Sequence, residues 1–150
     1  MRNMRKICLA GLVFFATSGA NAAQTVFIGE NFTGIYQCMG DDAHEGKYSG
    51  TVMMKLKPEH SHGECGSYDF ELKVAEYGVY SGHAASHGNV VAMHFALPQQ
   101  GSQYGGKTQD FGTGISKFKK NKQGKWTFHK FYFEPKFKGG NTGLEDCVQQ

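Results

Sequence analysis

The stretch that decides the fold is Lys47-Tyr48-Ser49-Gly50-Thr51-Val52-Met53-Met54-Lys55-Leu56. Tyr48, Gly50, Val52, Met54 and Leu56 fall on one face, and Lys47, Ser49, Thr51, Met53 and Lys55 on the other. A period of two is that of an extended strand with one side on a core and one side mostly wet.

The same alternation recurs outward from it. Tyr68, Phe70, Leu72 and Val74 alternate with Asp69, Glu71 and Lys73, and Phe111, Thr113 and Ile115 with Gly112, Gly114 and Ser116. Trp126, Phe128, Lys130 and Tyr132 share a face opposite Thr127, His129, Phe131 and Phe133, as in a strand covered on both sides. Weaker strand patterns run over 33–39, 77–84 and 89–97. Asn121-Lys122-Gln123-Gly124 has the chemistry of a hairpin turn. After residue 22 no segment of ten or more residues reads as a helix. Seven or eight short strands joined by tight turns predict an all-β chain, a small antiparallel up-and-down β-barrel, with a compact β-sandwich as the alternative. Gly34, Gly50, Gly78, Gly82, Gly112 and Gly114 favour the barrel, because closure demands sharp coiling.

The first 22 residues read as a cleaved signal peptide. Arg2, Arg5 and Lys6 form a basic start, 7–16 a short apolar run, and Ala20-Asn21-Ala22 a cleavage point. The apolar run is too short to cross a bilayer core of ~30 Å as a helix, and no later segment is apolar enough. The expectation is therefore an exported protein, periplasmic or secreted, with residues 23–150 forming one domain. Both arginines leave with the leader, so the remainder holds 13 lysines against 13 acids. Residues 23–110 carry a net of −5 and residues 111–150 a net of +5. A lysine face without arginine lacks the planar fork for bidentate phosphate or guanine recognition, so no specific nucleic-acid partner is expected.

Export makes disulfides available to Cys38, Cys65 and Cys147. In an up-and-down barrel the first and last strands are neighbours, which places Cys38 near Cys147 if the closing strand holds Gly143 to Val148. That bridge would contribute about 4 kcal/mol in the chain-entropy account. The competing pairing is Cys38 with Cys65. Under the first, Cys65 is a free thiol, open to an intermolecular bridge and hence a dimer.

Gly34-Ile35-Tyr36 resembles the Gly-x-aromatic opening of lipocalin and avidin-like (calycin) barrels, with tyrosine in place of the usual tryptophan. The resemblance implies a calycin-like barrel. The wider run Gly34 to Asp42 is similar to that of small uncharacterised exported bacterial proteins, which implies no activity.

Two chemistries stand out. The loop Glu59-His60-Ser61-His62-Gly63-Glu64-Cys65 offers imidazole and thiolate donors that suit zinc or copper, so His60, His62 and Cys65 are candidate metal ligands. An aromatic-rich barrel can also line a pocket mouth without catalytic geometry, and Tyr36, Tyr48, Tyr80 and Trp126 are the candidate ligand-binding residues. Lys117, Lys119, Lys120, Lys122 and Lys125 form a cationic hairpin for an acidic partner. No Gly-x-Ser-x-Gly elbow or His-Glu-x-x-His helix occurs. The leading expectation is an exported, non-catalytic protein that binds a small apolar or aromatic ligand or a protein partner, without a cofactor. A zinc or copper binding protein is the alternative, and a secreted hydrolase with an unrecognised site the third.

Overall fold

The computed structural model describes residues 25–75, 77–98 and 108–150. The leader assigned to 1–22 lies outside them. Eight strands follow one another: β1 Gly34–Asp42, β2 Gly46–Leu56, β3 Cys65–Val74, β4 Gly78–His87, β5 Val90–Pro98, β6 Thr108–Lys120, β7 Trp126–Glu134 and β8 Asn141–Gln149. Each pairs antiparallel with the next, and β8 pairs back onto β1, so the sheet closes into a barrel without edges. Short 3-10 turns at Pro58–His60 and Phe137–Gly139 interrupt two of the connections. No helix among the described residues is long and apolar enough to cross a membrane.

The closing register sets Cys38 directly opposite Cys147, and the two form the disulfide. It spans 109 residues of chain, which in the chain-entropy account is worth about 4 to 5 kcal/mol. Cys65 is left as an exposed free thiol.

On β2 and β3 the inward faces are those the alternation predicts. On β6 the faces are reversed. Gly112, Gly114 and Ser116 point inward, while Ile115 is 54% exposed. The reason is volume. A Cβ on Gly112 would come 2.5 Å from the Phe95 ring, and one on Gly114 3.3 Å from the Lys130 stem. Neighbouring strands already fill this part of the interior, and only glycine leaves room. Nor is β7 covered on both sides, since Phe131 and Phe133 lie on the exposed outer wall.

The two ends of the barrel differ. One end is plugged by the segment before β1, whose Phe32 is fully buried against Phe118 and Trp126, with ring centroids 4.4 and 4.9 Å away. Tyr36 and Tyr68 hold that segment by donating hydrogen bonds to the carbonyls of Phe32 and Glu30. Phe128 stacks on Phe118 beneath it. The other end has no such plug among the described residues.

Candidate functional site

The unplugged end is where β1, β7 and β8 deliver polar side chains inward. Gly40 stands opposite Tyr48, and Gly143 opposite Tyr132. A Cβ on either glycine would fall within 2.2 Å of the partner ring, so the bare backbone lets each tyrosine lie flat along the wall. That posture brings the two hydroxyl oxygens to 3.5 Å from each other. Tyr48 donates to Glu145, and Tyr132 donates to Asp42 Oδ2 at 2.7 Å.

Deeper in the barrel, Lys130 and Glu145 are both 0% exposed and form an ion pair across the β7–β8 register. The ammonium also sits 5.3 to 5.7 Å from the ring centres of Phe70, Phe95 and Tyr132, within cation–π range. A lysine therefore occupies the middle of the barrel because its charge is matched by a carboxylate and three ring faces.

Above this pair opens a cleft of about 80 Å³. Its walls include Tyr48, Leu72, Val74, Tyr80, Phe95 and Tyr132, and its carboxyls are Asp42, Glu45, Asp110 and Glu134, with Lys47 at the rim. Asp42 is fully committed. Its Oδ1 accepts the N–H groups of His44 and Glu45, and its Oδ2 accepts Tyr132 and Asn141. Burial pushes Asp42 up, but those hydrogen bonds outweigh it and hold the carboxyl below its usual range. Asn141 Nδ2 also donates to Glu134 Oε2 at 2.7 Å. Burial raises Glu134 to about 7, with the neighbouring Asp110 adding to the shift. Burial raises Asp110 as well. These two carboxyls lie side by side, a contact that one shared proton makes favourable. At the rim Glu45 binds Lys138 and accepts the Tyr77 hydroxyl, tying three connecting turns together.

Of the four candidate ligand-binding residues, Tyr48 and Tyr80 line this cleft. Tyr36 and Trp126 belong to the plugged end, Tyr36 packing on Phe118 and Phe128 and Trp126 on Phe32. His60, His62 and Cys65 do not gather around one point. Among the described residues, the group of histidine, cysteine or carboxylate donors that converges is Cys38, Glu145 and Cys147, and its sulfurs are spent in the disulfide. Cys65 Sγ instead lies 3.7 Å from His87 Nδ1 across the β3–β4 register. Lys117, Lys119, Lys120, Lys122 and Lys125 are all exposed on the β6–β7 hairpin at the plugged end, with Lys120 Nζ 4.8 Å above the Trp126 ring.

Sequence reasoning missed Lys130, Glu145, Asp110, Glu134 and Asn141 as a site. The signal was available in alternation: Asn141, Gly143, Glu145 and Cys147 share one face, as do Lys130, Tyr132 and Glu134. It also missed Gly101-Ser102-Gln103-Tyr104-Gly105-Gly106-Lys107-Thr108, which has the spacing of a phosphate-binding loop. Such a loop requires a helix after it, and here Thr108 opens strand β6. Residues 99–107 lie outside the described residues.

No family model, curated protein or solved structure matches the chain.

Proposed function

We propose that the chain is an exported, non-catalytic binding protein, periplasmic or secreted, whose ligand enters the unplugged end of the barrel. The observation that carries this reading is the asymmetry of the interior. Side chains fill the barrel from Phe32 up to the Lys130–Glu145 pair, and a cleft with aromatic and aliphatic walls opens beyond it. Ligand sites of small barrels have this form, apolar walls with a few polar groups that fix orientation. The cleft is smaller than the ~150 Å³ cavity that accommodates benzene. Its enclosed part suits a short chain or a head group, while a larger apolar body would rest at the mouth on Tyr77 and Phe137.

A hydrolase reading draws on the same residues, because Asp42 and Glu134 are shifted in opposite directions. Binding is favoured because Asp42 has no lone pair left to take a proton or attack a substrate. All four of its acceptor positions are filled by the protein.

Native mass spectrometry of protein purified from the oxidising compartment, without a histidine tag, tests the reading. A co-purifying organic mass that is lost in Tyr80→Trp, which narrows the cleft, supports it. A bare protein mass that also stays bare against a panel of small apolar and aromatic compounds would refute it. A chelator-sensitive shift of one zinc or copper would favour the loop of His60, His62 and Cys65 instead.

A further inference from the structure

Two buried acceptors beside the cleft lack a donor among the described residues. Asp110 is 5% exposed, Glu134 6% and Asn141 2%, so none is solvated in the ordinary way. Asp110 Oδ1 accepts the Phe111 N–H, but with Glu134 ionised Asp110 Oδ2 and Asn141 Oδ1 are buried acceptors without a donor among the described residues. Beside Asp110 stands the Glu134 carboxyl, another acceptor once ionised. The protein has placed its own donors, the Tyr132 hydroxyl and both Asn141 N–H bonds, on Asp42 and Glu134. Orphaned buried acceptors cost free energy unless something satisfies them.

Tyr80, Phe95 and Tyr132 line the same cleft. Carboxylates and aromatic faces are the two environments that attract an ammonium group, and the barrel already uses the pair once, at Lys130. A bare metal ion fits less well. The carboxyls of Asp42, Asp110 and Glu134 do not bring three donor atoms together as a metal requires.

We propose that the cleft takes the protonated amine end of an alkyl chain, its N–H bonds donated to Asp110 Oδ2 and the Glu134 carboxyl, its methylenes lying along Tyr80 and Phe95. This rests on the reading that the unplugged end binds a ligand, and it adds the charge and shape of the group that enters. A free small amine and the side chain of a lysine in another protein offer the same chemistry.

The test is a titration of the isotope-labelled, disulfide-bonded protein at pH 8, followed by backbone amide chemical shifts. The probes are n-butylammonium chloride, n-butanol as its neutral isostere, Nα-acetyl-lysine methylamide and calcium chloride. Butylammonium saturates with shifts centred on Tyr80, Asp110 and Glu134, and butanol binds at least about tenfold more weakly, as expected when charged hydrogen bonds are lost. Asp110→Asn and Glu134→Gln each weaken butylammonium by about tenfold or more while leaving butanol unchanged. Either variant alone suffices if the other misfolds. Saturation by the lysine amide assigns a protein side chain as a source, and its failure beside butylammonium assigns a free amine. Equal binding of butanol and butylammonium overturns the amine inference and leaves the ligand site standing. Calcium binding at these residues with no response to butylammonium overturns it in favour of a metal. No response to any probe overturns this inference, and the compound panel then decides the broader reading.

Discussion

Replacing Lys130 by methionine removes the ammonium and nearly preserves the volume. It leaves Glu145 0% exposed, with Tyr48 as its remaining close partner. Breaking a buried pair in this way costs about 3 to 5 kcal/mol, because the surviving charge has neither water nor counter-ion. The three ring faces give no relief, since their electron-rich faces attract the ammonium and repel a carboxylate. Against the roughly 5 to 15 kcal/mol that separates most folded domains from their unfolded chains, this leaves Lys130→Met folded by a thin margin. Glu145→Leu alone should cost a similar amount by stranding the ammonium.

The double variant Lys130→Met/Glu145→Leu restores an apolar centre and should recover most of the loss. The Tyr48 hydroxyl then turns to the Tyr132 oxygen, 3.5 Å away. Urea unfolding of the four proteins at pH 7, with the disulfide intact, measures the cycle. The expected coupling between the two sites is at least about 2 kcal/mol, as for residues in one network. If either single variant stays within about 1 kcal/mol of the parent, the pair is not a desolvated strut and the reasoning fails.

Glu134→Gln should change how stability depends on pH. Glu134 titrates at about 7 when folded, against 4.5 for an ordinary glutamate. Below 4.5 both states hold the proton and nothing is gained or lost; between there and about 7 only the folded state holds it, so stability falls as pH rises. The fall tends to about 3 kcal/mol above pH 7, and urea melts at pH 5 and pH 8 should show the variant losing much less over that interval. Asp42, Glu45, Lys47, Asp110, Tyr80 and Tyr132 line the same cleft, and Asp42, held low, moves the other way by losing its contribution on acidification. Gly40→Ala puts a Cβ within 2.1 Å of the Tyr48 ring, so it should cost about 1 to 3 kcal/mol in thermal unfolding; a neutral outcome would mean the ring is free to lift. Trp126→Phe should lower the melting temperature while leaving cleft affinity within about twofold, because Trp126 packs on Phe32 at the plugged end.

Alternation made the strands legible and, with them, the barrel and the Cys38–Cys147 bridge. It could not say which face of β6 is inside. A period of two separates two faces, and their occupancy depends on what neighbouring strands send into the same volume. Gly112 and Gly114 look like weak outward positions until Phe95 and the Lys130 stem are seen to need their space. The same limit hid the site. Tyr36 and Tyr48 are equally inward by pattern, yet only Tyr48 lines the cleft, because Phe32 folds across the other end and carries no periodic signal. Lys130 and Glu145 were passed over because a charge is ordinarily a marker of the outside. That marker fails when two opposite charges fall on facing positions of adjacent strands.

The position of that pair explains why the interior divides as it does. Below it the barrel holds Phe32, Tyr36, Phe118 and Phe128, which need no solvent and pack on one another. Above it polar side chains of β1, β7 and β8 face inward around a cleft, where an unpaired group would be costly. Glu145 is the hinge between the two regimes, bound to Lys130 on one side and to the Tyr48 hydroxyl on the other. From Tyr48 the polar chain steps to Tyr132, Asp42, Asn141 and Glu134, reaching the cleft at Asp110. Donors are supplied at every link, but at the last one Asp110 takes the Phe111 N–H on Oδ1 and keeps Oδ2 without a donor among the described residues. For the proposed ammonium ligand, a chain of hydrogen bonds that is satisfied from its buried end and leaves Asp110 Oδ2 open at the cleft fixes the geometry of that acceptor before binding. The ordering cost is then met in folding and not in binding.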